Sequence, residues 1–373
     1  MNGYFDHNAT TPLHPAAREA WLLASEKHWH NPSSLYRDAG LASQQLESAR
    51  ERLGTLIGAE AERIVFTSGA TESNNALLAS LPSDQLVAVS AIEHPSVQET
   101  ARGRNRLELP VNANGVVEPD AVKALIETKR PTLVSVMAAN NESGALQPWR
   151  EIAALCREQG VLFHTDAAQW IGKLEAASLS ECDFITGSSH KFGGPKGCGF
   201  LVLPTEDSRL HFIRGGPQEN GRRAGTENYP AIEAMVTALE TLTPSLAKIG
   251  HEQTRLRDDF IAAMRSRFEN LRVISESAPS LWNTVLMVMP SHDNLKWLTR
   301  LSRRGFSIST GSACSSGKEG SSVVVTALGA NADELKRVVR ISGGWETTKE
   351  DWQALATAFG DVSEELNRGG RPQ

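Results

Sequence analysis

Between about positions 45 and 205 short apolar runs alternate with longer stretches of helical period. The runs at 64–67 (IVFT), 86–90 (LVAVS), 133–138 (LVSVMA), 161–164 (VLFH), 183–186 (DFIT) and 199–203 (GFLVL) have the length of buried strands. Stretches at 46–57, 118–127 and 149–159 repeat their apolar positions with helical spacing. Strands alternating with helices predict an α/β fold, a mostly parallel central sheet covered by helices on both faces. The runs end in unusual polar residues: Thr71, His94, Asn141, Asp166, Gln169, Ser188 and Lys191. Ligands of open α/β sheets bind beyond the carboxyl ends of the strands, so these segments are expected to converge.

After about residue 250 the texture changes. A helical stretch, HEQTRLRDDFIAAMRSRFENL, leads to the apolar run NTVLMVM and then to the loop STGSACSSGKEG. The chain is therefore expected to divide into a large domain, 13–250, and a smaller α/β domain made of 1–12 and 251–373.

Composition narrows the classes of function. Of 373 residues 40% are hydrophobic and 22% charged, with a net charge of −6 and no basic run. That balance suits a globular chain with a sizeable core and predicts no direct nucleic-acid partner. The start, MNGYFDHNATTP, has no signal-peptide pattern, and no run approaches a membrane span, so no membrane partner is expected. Cys156, Cys182, Cys198 and Cys314 fit neither a zinc site nor a disulfide framework, so no metal is expected. A reducing cytoplasm is the expected location, where a free thiol stays reactive.

The chemistry rests on three strand ends. In TSGATESNN small residues lead into a helix, which suits a phosphate cradle of backbone N–H groups; an ordinary helix cap at Thr71 explains it equally well. Asp166 in HTDAAQ reads either as a helix cap or as a carboxylate that keeps a cofactor's pyridinium nitrogen protonated, as pyridoxal-phosphate chemistry requires. Lys191 lies in SSHKFGGPKG, a surface loop on one reading. On the other it is a desolvated amine that couples to the cofactor aldehyde. Phosphate cradle, aspartate and lysine on neighbouring strand ends are far more specific together than singly. A lone histidine such as His94 reads as a polar surface or core residue; in that setting its flat ring is expected to lie on the cofactor and exchange protons with substrate. Asn141 and Gln169 are placed to reach the ring oxygen.

In order and spacing, YFDHNATTP, NPSSLY, TSGATESNN, EHPS, NNESG, HTDAAQ, SSHKFGGPKG, RRAGTEN, STGSACSSG and VRIS resemble the cysteine desulfurases of the class V aminotransferase family. The GSAC form of the cysteine loop resembles the nitrogen-fixation and housekeeping iron–sulfur group. The resemblance implies a fold-type I pyridoxal-phosphate-dependent transferase in which Lys191 holds the cofactor, Asp166 pairs with its ring nitrogen and His94 stacks on it. It further implies that Asn141 and Gln169 lie near the ring oxygen, and that Ala70, Thr71, Ser188 and His190 bind the phosphate. Thr226 would reach the phosphate of a neighbouring subunit, making the protein a homodimer. Arg340 would clamp the carboxylate of L-cysteine, with Asn141 beside it, and Cys314 would carry the sulfur as a persulfide to an acceptor protein, an iron–sulfur scaffold or a thiolation relay. Two departures stand out: Trp345 where many relatives have a basic residue, and no proline after the cysteine loop. They bear on the acceptor more than on the reaction. A selenocysteine lyase or aminotransferase of the same fold and a non-catalytic scaffold are the alternatives.

Overall fold

The computed structural model describes residues 3–204, 210–310 and 322–368. Its main sheet is built from β1 (Ile64–Thr67), β2 (Val87–Ser90), β3 (Arg106–Leu109), β4 (Leu133–Ser135), β5 (Leu162–Asp166), β6 (Phe184–Ser188) and β7 (Gly199–Val202). Their spatial order is β1-β7-β6-β5-β4-β2-β3. The five strands β3, β2, β4, β5 and β6 run parallel. β7 runs against both β6 and β1. The strands are buried on both faces, with every residue of β1, β2, β4, β6 and β7 buried, as in a sheet covered by helices.

The sequence-based strand set is recovered with one addition, β3. Its sequence, RLEL, is half charged and only Leu109 is buried, so the edge strand leaves no apolar run to read. The turn chemistry around Lys191 also has a structural cause. Residues 189–198 join antiparallel β6 and β7. A Cβ on Gly194 would lie 1.9 Å from Ser189 Oγ, and Gly193 takes φ +84°, so the loop folds tightly only with glycine there.

The C-terminal part holds a second, antiparallel sheet: β8 (Arg272–Val273), β9 (Thr284–Val288) and β10 (Val338–Ser342), in the order β10-β9-β8. Its core, with Met287, Val339, Trp297, Trp352 and Phe359, also buries Phe5 from the N-terminus. Phe5 N donates to Ser307 O at 2.8 Å and His7 N to Ser342 O at 3.1 Å, so residues 5–7 are laced to this part of the chain. The helix Leu246–Arg267 runs through position 250: Leu246 packs in the core of the main sheet and Phe260 and Met264 in that of the small one.

Candidate active site

Parallel β2, β5 and β6 end at one edge of the sheet. Asp166 is the last residue of β5, opposite Thr186 of β6. It is buried, and each carboxylate oxygen takes one N–H: Oδ1 from Ala168 at 3.0 Å, Oδ2 from Asn74 Nδ2 at 2.8 Å. A carboxylate accepts about four hydrogen bonds, so this one retains capacity for a ring N–H.

His94 caps the helix Pro95–Arg102, its Nδ1 accepting from Ser96 N at 3.1 Å. Burial lowers its proton affinity; the charge of Asp166 opposes that shift and the charge of Lys191 adds to it. Carboxylate and ammonium, 25 residues apart in sequence, therefore act on the same imidazole. Lys191 Nζ donates to the backbone oxygens of Asn8 at 2.7 Å and Ala9 at 2.8 Å. Gln169 Nε2 donates to the same Asn8 oxygen at 2.9 Å.

Asn8 is the hub that sequence reasoning missed. Its Oδ1 accepts from Lys173 Nζ at 3.2 Å and Asn283 Nδ2 at 3.0 Å. Its Nδ2 donates to Thr284 Oγ1 at 2.8 Å and to the Asn141 carbonyl at 3.1 Å. Lys173, also unforeseen, is buried and bonded to Gln169 Oε1. Burial pushes its ammonium well below the usual lysine range, and the charges of Lys191 and Arg340 push the same way. The only local sign was a lysine inside the apolar stretch WIGKL.

Arg340, on β10, is buried to 2% exposure. Its Nη1 donates to the Asn141 carbonyl at 3.0 Å, and its Nη2 pairs with Asp6 Oδ1 at 2.6 Å. The Asn141 carbonyl thus receives both Asn8 and Arg340 and joins the two sheets at the site. Glu142, next in the chain, accepts from Ser322 Oγ at 2.5 Å. Burial raises its carboxyl, while Ser322 and the Arg340 charge hold it down.

The third element is the start of the helix Ala70–Ser80. Thr67 and Ser188 both lie opposite Gly199, in adjacent strands. A Cβ on Gly199 would come within 2.6 Å of Gly69 Cα, so glycine lets the helix start close onto the sheet. Ser188 Oγ is the atom nearest to where a Gly69 Cβ would stand, at 3.6 Å. The N-terminal amides at Ala70 and Thr71 and the Ser188 hydroxyl form a cradle in which a helix N-terminus favours an anion. His190 Nδ1 lies 3.1 Å from Thr10 Oγ1, and burial, aided by Lys191 and Lys196, lowers its proton affinity to about 4.

The structure thus brings Ala70, Thr71, His94, Asn141, Asp166, Gln169, Ser188, His190, Lys191 and Arg340 to one region. Thr226 is exposed; its segment is tied to the same helix by the ion pair of Arg223 with Glu72 at 2.9 Å. Cys314 lies outside the described residues. Cys156, Cys182 and Cys198 are buried, and burial raises their thiols, to about 12 for Cys156 and Cys198. Such thiols are poor nucleophiles at neutral pH.

The donor set fits pyridoxal phosphate: a buried carboxylate for a ring nitrogen, an amine for an aldehyde and a helix start for a phosphate. The chain also resembles known proteins along its length. It is 34% identical to the cysteine desulfurase IscS of Dictyoglomus turgidum, covering 97% of this chain and 95% of that one. Among solved structures, a NifS-like protein from Rickettsia africae superposes with a TM-score of 0.90 at 29% identity, over 98% of this chain and all of the other. A structure described as SspA in complex with cysteine superposes with a TM-score of 0.80 at 31% identity, over 91% of this chain and 98% of the other. The aminotransferase class-V family profile matches residues 3–355. The chain belongs to the aminotransferase class-V family.

Proposed function

We propose that this protein is a pyridoxal-phosphate-dependent cysteine desulfurase, converting L-cysteine to L-alanine and passing the sulfur to Cys314. The observation that carries the reading is a buried carboxylate, Asp166 at the end of β5, and an amine, Lys191 just beyond β6, beside a helix start suited to phosphate. The names of the relatives point the same way.

Bound pyridoxal phosphate supplies an electron sink for a carbanion at the substrate Cα. Asp166 would face the cofactor's ring nitrogen with the acceptor capacity that remains on its carboxylate. Lys191 would hold the cofactor's aldehyde, and its amine would take the substrate's Cα proton. The Asn8 and Ala9 carbonyls hold its amine at the site meanwhile. His94 would lie against the ring, Asn141 and Gln169 would reach its oxygen, and Ala70, Thr71, Ser188 and His190 would take the phosphate. Arg340 offers its planar fork to the substrate carboxylate. The Cys314 thiolate then attacks the substrate sulfur. An S–S bond would form as the C–S bond breaks, the electron pair left on Cβ would take up a proton, and return of a proton to Cα would give alanine. A reducing compartment such as the cytoplasm suits this thiolate chemistry.

A homodimer is part of the proposal. Trp29, Leu35 and Tyr36 are exposed, Leu35 fully. Gln218 bridges this loop to the segment of Thr226: its Nε2 donates to Ser33 Oγ at 3.4 Å and its Oε1 accepts from Gly225 N at 3.1 Å. Exposed apolar side chains beside a residue assigned to a neighbour's phosphate favour a second copy on this face. The sulfur acceptor is assigned by chemistry alone, as a protein presenting a thiol or nascent cluster to the persulfide.

The test is incubation with L-cysteine and a reductant. Sulfide and alanine in equal amounts support the reading. A keto acid points to transamination, and bound cofactor without turnover to a scaffold. Selenocysteine turnover without cysteine turnover points to a selenocysteine lyase.

A further inference from the structure

Asn74 sits on the helix Ala70–Ser80 with its side chain fully buried, and none of the roles above uses it. Its amide nitrogen donates to two acceptors at once: Asp166 Oδ2 at 2.8 Å and Ser96 Oγ at 2.9 Å. An amide nitrogen carries two hydrogens, and both are used. The flipped orientation would press Oδ1 against a carboxylate, so the pairing fixes which way the amide points.

Ser96 relays the constraint. Its hydroxyl accepts from Asn74, which leaves its own hydrogen for His94 Nδ1, 2.8 Å away. Its backbone N–H donates to the same nitrogen at 3.1 Å. A backbone N–H can only donate, so Nδ1 carries no proton in this arrangement. The neutral imidazole therefore holds its proton on Nε2.

We propose that Asn74 is a positioning residue that ties Asp166 to the His94 imidazole through the Ser96 hydroxyl, holding in place a ring whose Nδ1 the Ser96 N–H keeps unprotonated. The consequence rests on the function proposed above: His94 enters the reaction as a proton donor at Nε2. Neither leucine nor aspartate replaces asparagine at position 74. Leucine fills the space but has no donor, and aspartate turns an acceptor toward Asp166.

The test is long-range ¹H–¹⁵N correlation of histidine-labelled protein, as purified and after removal of the cofactor. In the parent, His94 is expected to show an unprotonated Nδ1 and a protonated Nε2 from pH 6 to 9. A protonated Nδ1 there overturns the proposal. In Asn74→Leu the Ser96 hydroxyl loses its fixed orientation, so the His94 Nδ1 shift is expected to move while the Ser96 N–H keeps that nitrogen unprotonated. Cofactor binding is expected to weaken roughly tenfold or more, the equivalent of one hydrogen bond to a charged group. Parental shifts and parental cofactor affinity in that variant overturn the proposal. Should Asn74→Leu fail to fold, Ser96→Ala removes only the relay hydroxyl; unchanged His94 shifts in it overturn the proposal equally. These readouts need no substrate, so a protein with the expected shifts and no desulfuration contradicts the proposed function alone.

Discussion

Lys191 Nζ rests 2.7 Å from the backbone oxygen of Asn8, 183 residues earlier in the chain. The lysine is thus held by the N-terminal segment, which is itself laced to the small sheet through Phe5 and His7. Site and packing of the two sheets are coupled through residues 5–9.

That coupling makes Asn8 expensive to replace. Its buried side chain bonds Lys173, Asn283, Thr284 and the Asn141 carbonyl. Asn8→Ala would leave several of these groups unsatisfied, at about 1–3 kcal/mol each before relaxation. The expected loss is on the order of 2–4 kcal/mol, read as a lower urea midpoint with an unchanged slope. An unchanged midpoint would show that water replaces the side chain without cost.

Arg340→Lys keeps a charge but loses the planar fork. If Arg340 clamps the substrate carboxylate, KM for L-cysteine should rise roughly tenfold or more, with cofactor absorbance preserved. A parental KM would remove Arg340 from the substrate.

Glu93, beside His94, titrates unusually. Burial raises its carboxyl to about 8, and the negative charge of Asp166 adds to the rise, while bonds from Ser90 Oγ and Met137 N oppose it. Its folded value lies above its unfolded one. The native state therefore holds a proton that the unfolded chain releases, and stability falls as pH climbs from about 4.5 to 8. Glu93→Gln should flatten this window, so the variant gains on the parent as pH rises through it and no further beyond. Parallel thermal melting points from pH 5 to 9 would contradict the assignment.

Cys314→Ala should bind the cofactor as the parent does and form no persulfide, checked by intact mass after L-cysteine. Sulfide release at the parental rate would remove Cys314 from the chemistry.

Most of the proposed site could be read from the chain because β1, β5 and β6 are apolar runs that stop at or just before residues proposed to act. Ile64–Thr67 leads to the cradle, Leu162–Asp166 to the carboxylate and Phe184–Ser188 to the lysine. What escaped was tertiary. Asn8 meets Thr284 across 276 positions, and Asn74 meets Asp166 across 92. Local pattern carries no sign of such pairs. Trp345 shows the same limit: its ring lies 6.0 Å from that of His14 and 6.4 Å from that of His7. A Cβ on Gly193 would come within 3.0 Å of its ring, so Trp345 packs close to the lysine loop beside the N-terminal segment. From sequence it was only a departure from a basic residue.

The central claim is that one amine, that of Lys191, captures the cofactor aldehyde. Borohydride reduction of the purified protein followed by peptide mapping tests it directly, because the buried amine of Lys173 lies in the same network. The account predicts a stable pyridoxyl adduct on Lys191 and its loss in Lys191→Ala. An adduct on Lys173, or one that persists without Lys191, would contradict it.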